Sequence, residues 1–343
     1  MDIELGLDTF GDVTEGADGA PLTQAQSIRN VVAQARLADE VGVDFFGVGE
    51  HHRPDFAVSS PETVLAAIAA TTERIRLGSA VTVLSSDDPV RVYERFATVD
   101  ALSSGRAEVV AGRGSFTESF PLFGYDLRDY EALFEEKLDL LARLLREEPV
   151  TWSGTMRAAL DDVSVFPRTE GGMPLWVGVG GSPESVVRAA RQGARLMLAI
   201  IGGPAGRFAP FADLYRRSLA SFERAELPIA VHSPGHIADT DEQAWDELYP
   251  SFAASRDRIG RERGWGGTYN RLTFQNDVGP AGAVYAGSPE RVARKIADTV
   301  RALGLSRFDL KFSNGALSHE RMMHSIELYG TRVAPLVRDM LAN

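Results

Sequence analysis

A glutamate followed by two histidines, Glu50, His51 and His52 in GVGEHHRPDF (47–56), stands where an apolar, glycine-bearing run gives way to Arg53 and Pro54. These residue types serve as zinc ligands, as acid/base groups or as hydrogen-bonding caps of a loop. Neighbouring residues of an extended strand point to opposite faces, so His51 and His52 cannot easily share one metal, and the spacing argues against zinc. A second pair, His232 and His236, has the i, i+4 spacing that holds zinc on a helix, but Pro234 and Gly235 between them oppose a helix. What remains is His232 at the end of an extended run, and a His51 whose ordinary pKa near neutrality suits proton transfer or substrate orientation. No metal site is expected.

Three further stretches have the chemistry of a binding site. Arg113 lies between two glycines in AGRGSF, which reads either as a surface arginine in a flexible turn or as a guanidinium aimed at an anion, with Gly114 letting backbone approach a ligand closely. In GVGGSPESVV (178–187), Ser182 is a helix N-cap and Pro183 the first helical residue. The run Gly178-Val179-Gly180-Gly181 before them leaves backbone N–H groups free around the helix start, a natural phosphate site. A near copy, AGSPERVARKI (286–296), lacks that run, so GSPE alone reads as helix-start grammar. In RLGSAVTV (76–83), small Gly78, Ser79 and Ala80 replace the large branched residues a strand favours, marking a bulge or the close approach of a flat ligand.

These groups need a frame. Eight short apolar runs read as strands: 3–7, 44–49, 76–83, 106–112, 175–180, 195–200, 229–233 and 308–312. Between them lie stretches of helical period such as 26–42, 61–73, 90–103 and 130–148. The alternation predicts an α/β fold, a closed (β/α)8 TIM barrel in one domain over 1–343. The runner-up, a doubly wound open sheet, would carry a Gly-rich turn after its first strand, which LGLDTFGD lacks. In such a barrel, chemistry gathers at the C-terminal strand ends, where Glu50, His51, Arg113 and the Gly180 run fall. Two segments exceed a minimal barrel. Residues 149–168 read as two extended pieces inserted before strand five. Residues 264–288, between strands seven and eight, show no period and are expected to form a long irregular loop of the functional or mobile kind. Phe10, Phe46, Phe56, Phe116 and Phe274 are candidate walls of an apolar pocket.

The chain has 343 residues, no cysteine and a formal net charge of −12. That charge repels nucleic acid and anionic membrane surfaces, so any bound anion must find a local site. No apolar run is long enough to span a bilayer, and the acidic start MDIELGLDTF is unlike a secretion signal. A cytoplasmic location is expected.

Together, the EHH triplet, the block GSAVTVLSSDDPVRVYERFATVDALSSGRAEVVAGRG (78–114), FGYDLRDYEALFEEKLDLL (123–141) and FDLKFSNGALSHERMMHSIELYGTRVAPLVR (308–338) resemble the bacterial luciferase-like, flavin-dependent monooxygenase family. The resemblance implies FMN, usually delivered reduced, at the C-terminal mouth of the barrel, with oxygen and a small organic substrate. It implies a non-proline cis peptide at Ala80-Val81, so that Ser79, Ala80 and Val81 carry the flavin ring. It further implies that Arg113, Gly181, Ser182 and Ser185 hold the phosphate, that His51 assists catalysis and that 264–288 is a mobile lid over the site; Glu50 is expected to orient its neighbours through hydrogen bonds. A separate NAD(P)H:flavin reductase is expected, since no dinucleotide fingerprint occurs, and a homodimer is implied. A cysteine beside the flavin in luciferase aligns with Gly112, so thiol-dependent features do not carry over. Two rivals remain: a deazaflavin-dependent hydride-transfer enzyme and a non-catalytic flavin-binding subunit.

Overall fold

Each of the eight apolar runs is a parallel strand: β1 Glu4–Thr9, β2 Phe45–Val48, β3 Arg76–Ser79, β4 Ala107–Gly112, β5 Leu175–Val179, β6 Arg195–Ala199, β7 Ile229–Ile237 and β8 Arg307–Lys311. The structure, a computed structural model, describes residues 3–16, 19–114, 116–264 and 267–342. Strand β8 pairs with both β1 and β7, and β7 with β6, so the sheet closes into the expected (β/α)8 barrel. Parallel neighbours cannot be joined by hairpins, and helices make the crossovers. These include α1 Gln24–Glu40, α2 Pro61–Ala69, α3 Pro89–Ser103, α4 Tyr130–Leu144, α5 Pro183–Gln192 and α6 Ala209–Ser221. Their starts follow capping chemistry: Thr23, Asp88 and Ser182 each accept a backbone N–H from the first turn. Among the described residues no helix is long and apolar enough to cross a membrane.

Residues alternate across each strand. On β2, Phe46 packs outward against Phe312 in the main core between sheet and helices, whereas Phe45 turns into the barrel beneath Arg307, 3.9 Å from its guanidinium carbon. The barrel interior is layered. A small apolar plug of Val110, Trp176, Met197 and Ala230 lies toward the mouth. Arg307, Glu108 and Asp309, all fully buried, lie near it, with Arg307 ion-paired to both carboxylates.

Strand three is not continuous, as the sequence had implied. Leu77 and Thr82, five residues apart, face Ala107 and Ala111, four apart, so the chain carries one extra residue there. The Ala80-Val81 peptide inside this bulge is cis, and the chain resumes pairing at Thr82–Val83.

The insertion before β5 is an antiparallel hairpin, Val150–Trp152 with Leu160–Val163. The expected irregular segment at 264–288 requires correction. After α7 (Asp241–Glu262), it contains helix α8 (Arg271–Val278), capped by the Asn270 side chain, and a strand Tyr285–Gly287 paired with β7. Phe274 and Val278 pack with Leu248 and Phe252 in a satellite core. Eight helical residues with two buried apolar side chains are too few for a legible period. Residues 265 and 266 of that segment lie outside the described residues. Helix α9 (Pro289–Leu303) then leads to β8.

Candidate active site

A cavity of about 330 Å³ opens at the C-terminal mouth of the barrel. Its bed is the bulge. Ser79 Oγ donates to the Val110 carbonyl at 3.0 Å and accepts the Val110 N–H at 3.1 Å, replacing the ladder bonds the bulge interrupts. Glycines make room around the bed. A side chain on Gly49 would start 2.9 Å from the Ala80 carbonyl oxygen, and one on Gly112 would start 2.4 Å from Val81 Cγ2. Because Val81 already fills that space, Gly112→Cys should drive Val81 into the cavity, weakening cavity ligands about tenfold or more in a binding titration. Unchanged affinity would show that the bed tolerates displacement.

Glu50 is buried and fully engaged: one carboxylate oxygen accepts the Val83 N–H at 2.8 Å and the other lies 2.9 Å from His52 Nε2. It therefore ties the end of β2 to the chain just past the bulge. His52 in turn sets its edge against Phe123. Glu50→Ala leaves a buried N–H without an acceptor, and a loss of about 1–3 kcal/mol in urea unfolding is expected.

His51 faces the other way, into an aromatic box, with ring centroids 4.6 Å from Phe10, 4.2 Å from Phe56 and 5.5 Å from Phe116. Its Nδ1 is buried and without a hydrogen-bond partner. Burial, reinforced by Lys311, His52 and Arg53, pushes its pKa down to about 3. The imidazole is thus neutral at physiological pH, not poised near neutrality as its type alone suggests.

The sequence placed His232 only at a strand end. Here its Nδ1 lies 2.6 Å from Asp8 Oδ2, and its ring stacks on Phe10 at 5.7 Å. Asp8 escaped notice because an acid ending a strand reads as solvent-facing, yet it is buried and lines the cavity. Of the phenylalanines singled out, Phe10, Phe56 and Phe116 gather at the mouth, while Phe46 and Phe274 belong to other cores.

Arg113, which also lines the cavity, lies over the Tyr130 ring at 5.3 Å, and Tyr130 donates to the Gly114 carbonyl at 2.8 Å. Arg113 and Arg188 share Glu131, one on each carboxylate oxygen. Gly180 lines the cavity, and the positions where Gly180 and Gly181 lack a side chain face open space. Ser182 Oγ accepts the Ser185 N–H at 3.2 Å and donates to Glu184 at 2.8 Å, and Arg188 of α5 donates to Ser185 Oγ at 3.4 Å.

A second chamber of about 130 Å³ adjoins the first across Phe10, Phe116, Ile201 and His232. Arg53 ties the rim, bonding Asp55 at 3.1 Å, Glu262 of α7 at 2.7 Å and Glu118, with its guanidinium 4.6 Å from the Phe116 ring centre. A larger groove of about 670 Å³ runs outside the barrel past Glu135, Asp139 and Arg143, an open charged surface remote from these rings.

The sequence profile of a family described as luciferase-like monooxygenase matches residues 9–307. A 4-hydroxyprotoasukamycin monooxygenase of Streptomyces nodosus subsp. asukaensis is 29% identical over 88% of this chain and 84% of its own length. In fold, the chain is similar to the oxygenating constituent of 3,6-diketocamphane monooxygenase from Pseudomonas putida, solved with FMN (TM-score 0.79, 19% identity, 98% of each chain). It is also similar to the coenzyme F420 dependent tetrahydromethanopterin reductase of Methanopyrus kandleri (TM-score 0.71, 18% identity, 98% of this chain and 99% of that one).

Proposed function

Because the chain belongs to the luciferase-like monooxygenase family and is an enzyme, we propose that it is an FMN-dependent monooxygenase, supplied with reduced flavin by a separate NAD(P)H:flavin reductase. The observation that carries this reading is one cavity lined both by the bulge residues Ser79, Ala80 and Val81 and by Arg113 with the open Gly180 backbone. The residues fit the cofactor. Ser79, Ala80 and Val81 offer the ring platform. Arg113, Gly114, Gly180, Gly181, Ser182 and Ser185 offer a guanidinium, unobstructed backbone and a helix start for the phosphate. Glu131 holds Arg113 and Arg188 in place, and a phosphate would compete with it for them. Bound reduced FMN supplies the two electrons with which dioxygen delivers one oxygen atom to the substrate and one to water.

The protein's own groups set the conditions for that reaction. Phe10, Phe56 and Phe116 exclude water from the mouth, which protects an oxygen-reactive site from side reactions. His51, neutral in this box, presents both a donor and an acceptor nitrogen without carrying charge. Asp8, 2.6 Å from Nδ1, fixes the orientation of the His232 ring at the junction of the two chambers.

The phosphate assignment is tested by comparing FMN with riboflavin, which lacks the phosphate. FMN is expected to bind at least about tenfold tighter, and Arg113→Gln to remove that preference while leaving riboflavin affinity unchanged. Equal affinities in the unaltered protein would place the phosphate elsewhere.

A further inference from the structure

His232 lines both chambers, and its two ring nitrogens differ. Nδ1 lies 2.6 Å from Asp8 Oδ2, whereas among the described residues no hydrogen bond engages Nε2. A carboxylate only accepts, so the nitrogen facing Asp8 is the one that carries hydrogen, and Nε2 of the neutral ring keeps its lone pair. The ring is held in place on two sides: its plane lies 11° from that of Phe10, and Asp8 is buried on β1 at 1% exposure. A buried acid behind a histidine that borders a cavity is the arrangement of a general base.

What such a base would meet is set by the second chamber. Its apolar walls are Phe10, Phe56, Phe116, Ile201, Phe252 and Ile259, and its volume of about 130 Å³ is near the roughly 150 Å³ of an apolar cavity that holds benzene. One aromatic ring fits it. The charged side chains around it are already engaged by the protein: Lys311 Nζ lies 3.3 Å from Asp12 Oδ2, and Arg256 and Arg263 lie against the rings of Phe252, Tyr269 and Phe116. A neutral aromatic ligand with one proton to give therefore suits the chamber.

We propose that the second chamber holds the ring of a phenol and that His232 Nε2, set by Asp8, takes the phenol's proton. The proposal rests on the monooxygenase reading and gives that reading a substrate class and a base. In this step the O–H bond breaks, an N–H bond forms on Nε2, and the electron pair stays on the phenol oxygen. The Asp8 carboxylate balances the imidazolium that results. Because His232 stands at the seam, the hydroxyl and the carbons next to it are the part of the ring nearest the first chamber. Ionisation enriches those carbons in electrons, which prepares them to receive oxygen. One atom of dioxygen then replaces a ring hydrogen that leaves as a proton, the other becomes water, and reduced FMN supplies the two electrons. His232 is the catalytic residue of the pair and Asp8 its positioning residue.

4-Nitrophenol, whose phenolate absorbs at longer wavelength than its neutral form, tests the proton transfer by difference spectroscopy with the FMN-loaded enzyme, at a pH where the free phenol is mostly neutral. Bound 4-nitrophenol is expected to appear as the phenolate. His232→Gln should lower the ratio of bound phenolate to phenol at least about tenfold. Asp8→Asn should do the same, because an amide can donate to Nδ1 and move the ring hydrogen to Nε2. Circular dichroism shows which variants are folded; where one is not, the unaltered enzyme and the other variant decide. A neutral bound phenol in the unaltered enzyme, no binding of 4-nitrophenol, or a phenolate that persists in His232→Gln would overturn the proposal. A phenolate that persists in Asp8→Asn alone would remove the role of Asp8. The two levels fail separately: ionisation of the phenol by a protein that does not bind FMN removes the cofactor reading alone, and FMN binding without ionisation removes the base assignment alone.

Discussion

Arg307→Met is expected to lower the stability of the fold by about 3–5 kcal/mol in urea unfolding, among the largest effects of any single substitution in the barrel. Arg307 is completely buried, donates to Glu108 and to Asp309, and lies 4.3 Å from the Trp176 ring centre. Burial opposes ionisation of Glu108, but the Arg307 and Arg76 guanidiniums outweigh it and hold that carboxyl below its ordinary range. Asp309 goes the other way, since burial raises it well above the carboxylate range despite Arg307. Removing the guanidinium therefore leaves the buried Glu108 charge with the half-buried Arg76, 3.2 Å away, to compensate it. The double variant Arg307→Met/Glu108→Gln should recover much of the loss, because it removes both charges. The consequence reaches the active site, as Trp176 donates to Glu108 at 3.1 Å and belongs to the plug beside the cavity bed. A loss below about 1 kcal/mol would mean that water or rearrangement already screens the cluster.

His51→Gln should slow turnover by about a hundredfold while changing FMN affinity less than about twofold, the pattern of a group that acts on the reacting partners. Its pH signature follows from its burial. The folded-state pKa, about 3, lies below the ordinary value of 6.5, so between those values the unfolded chain binds the proton and the folded chain does not. Stability therefore rises with pH across that window, is complete above it and declines as pH falls through it. The variant should show a shallower dependence over the same range. Turnover, in turn, should show no ionisation of His51 near pH 6.5. A rate that rises as a histidine protonates there would assign the step to a charged imidazole and contradict the neutral one.

The sequence made the barrel legible because eight apolar runs alternate with helical periods, and strand ends in such a barrel are where chemistry gathers. His51, Arg113 and Gly180 could be placed at the mouth on that basis. Other features depend on contacts that no local pattern encodes. Asp8 and His232 meet across 224 positions of sequence, and neither carries a sign of the other. The depressed pKa of His51 needs three rings drawn from separate loops. FDLKF read as an apolar strand, yet its alternation places Asp309 and Lys311, with Arg307 just before the run, on the inner face. For Phe45 and Phe46, alternation requires opposite faces but does not say which one enters the barrel. The bulge in β3 left small residues as its trace, whereas α8 was too short to leave one.

The cofactor is the premise on which the chemistry depends, and an anaerobic titration of the purified protein with reduced FMN, and in parallel with a reduced deazaflavin, tests it most directly. The account predicts saturable FMN binding at one site per chain, weakened by Arg113→Gln, and no tight deazaflavin binding. Tight deazaflavin binding without FMN binding would contradict it and assign the barrel to hydride transfer without oxygen.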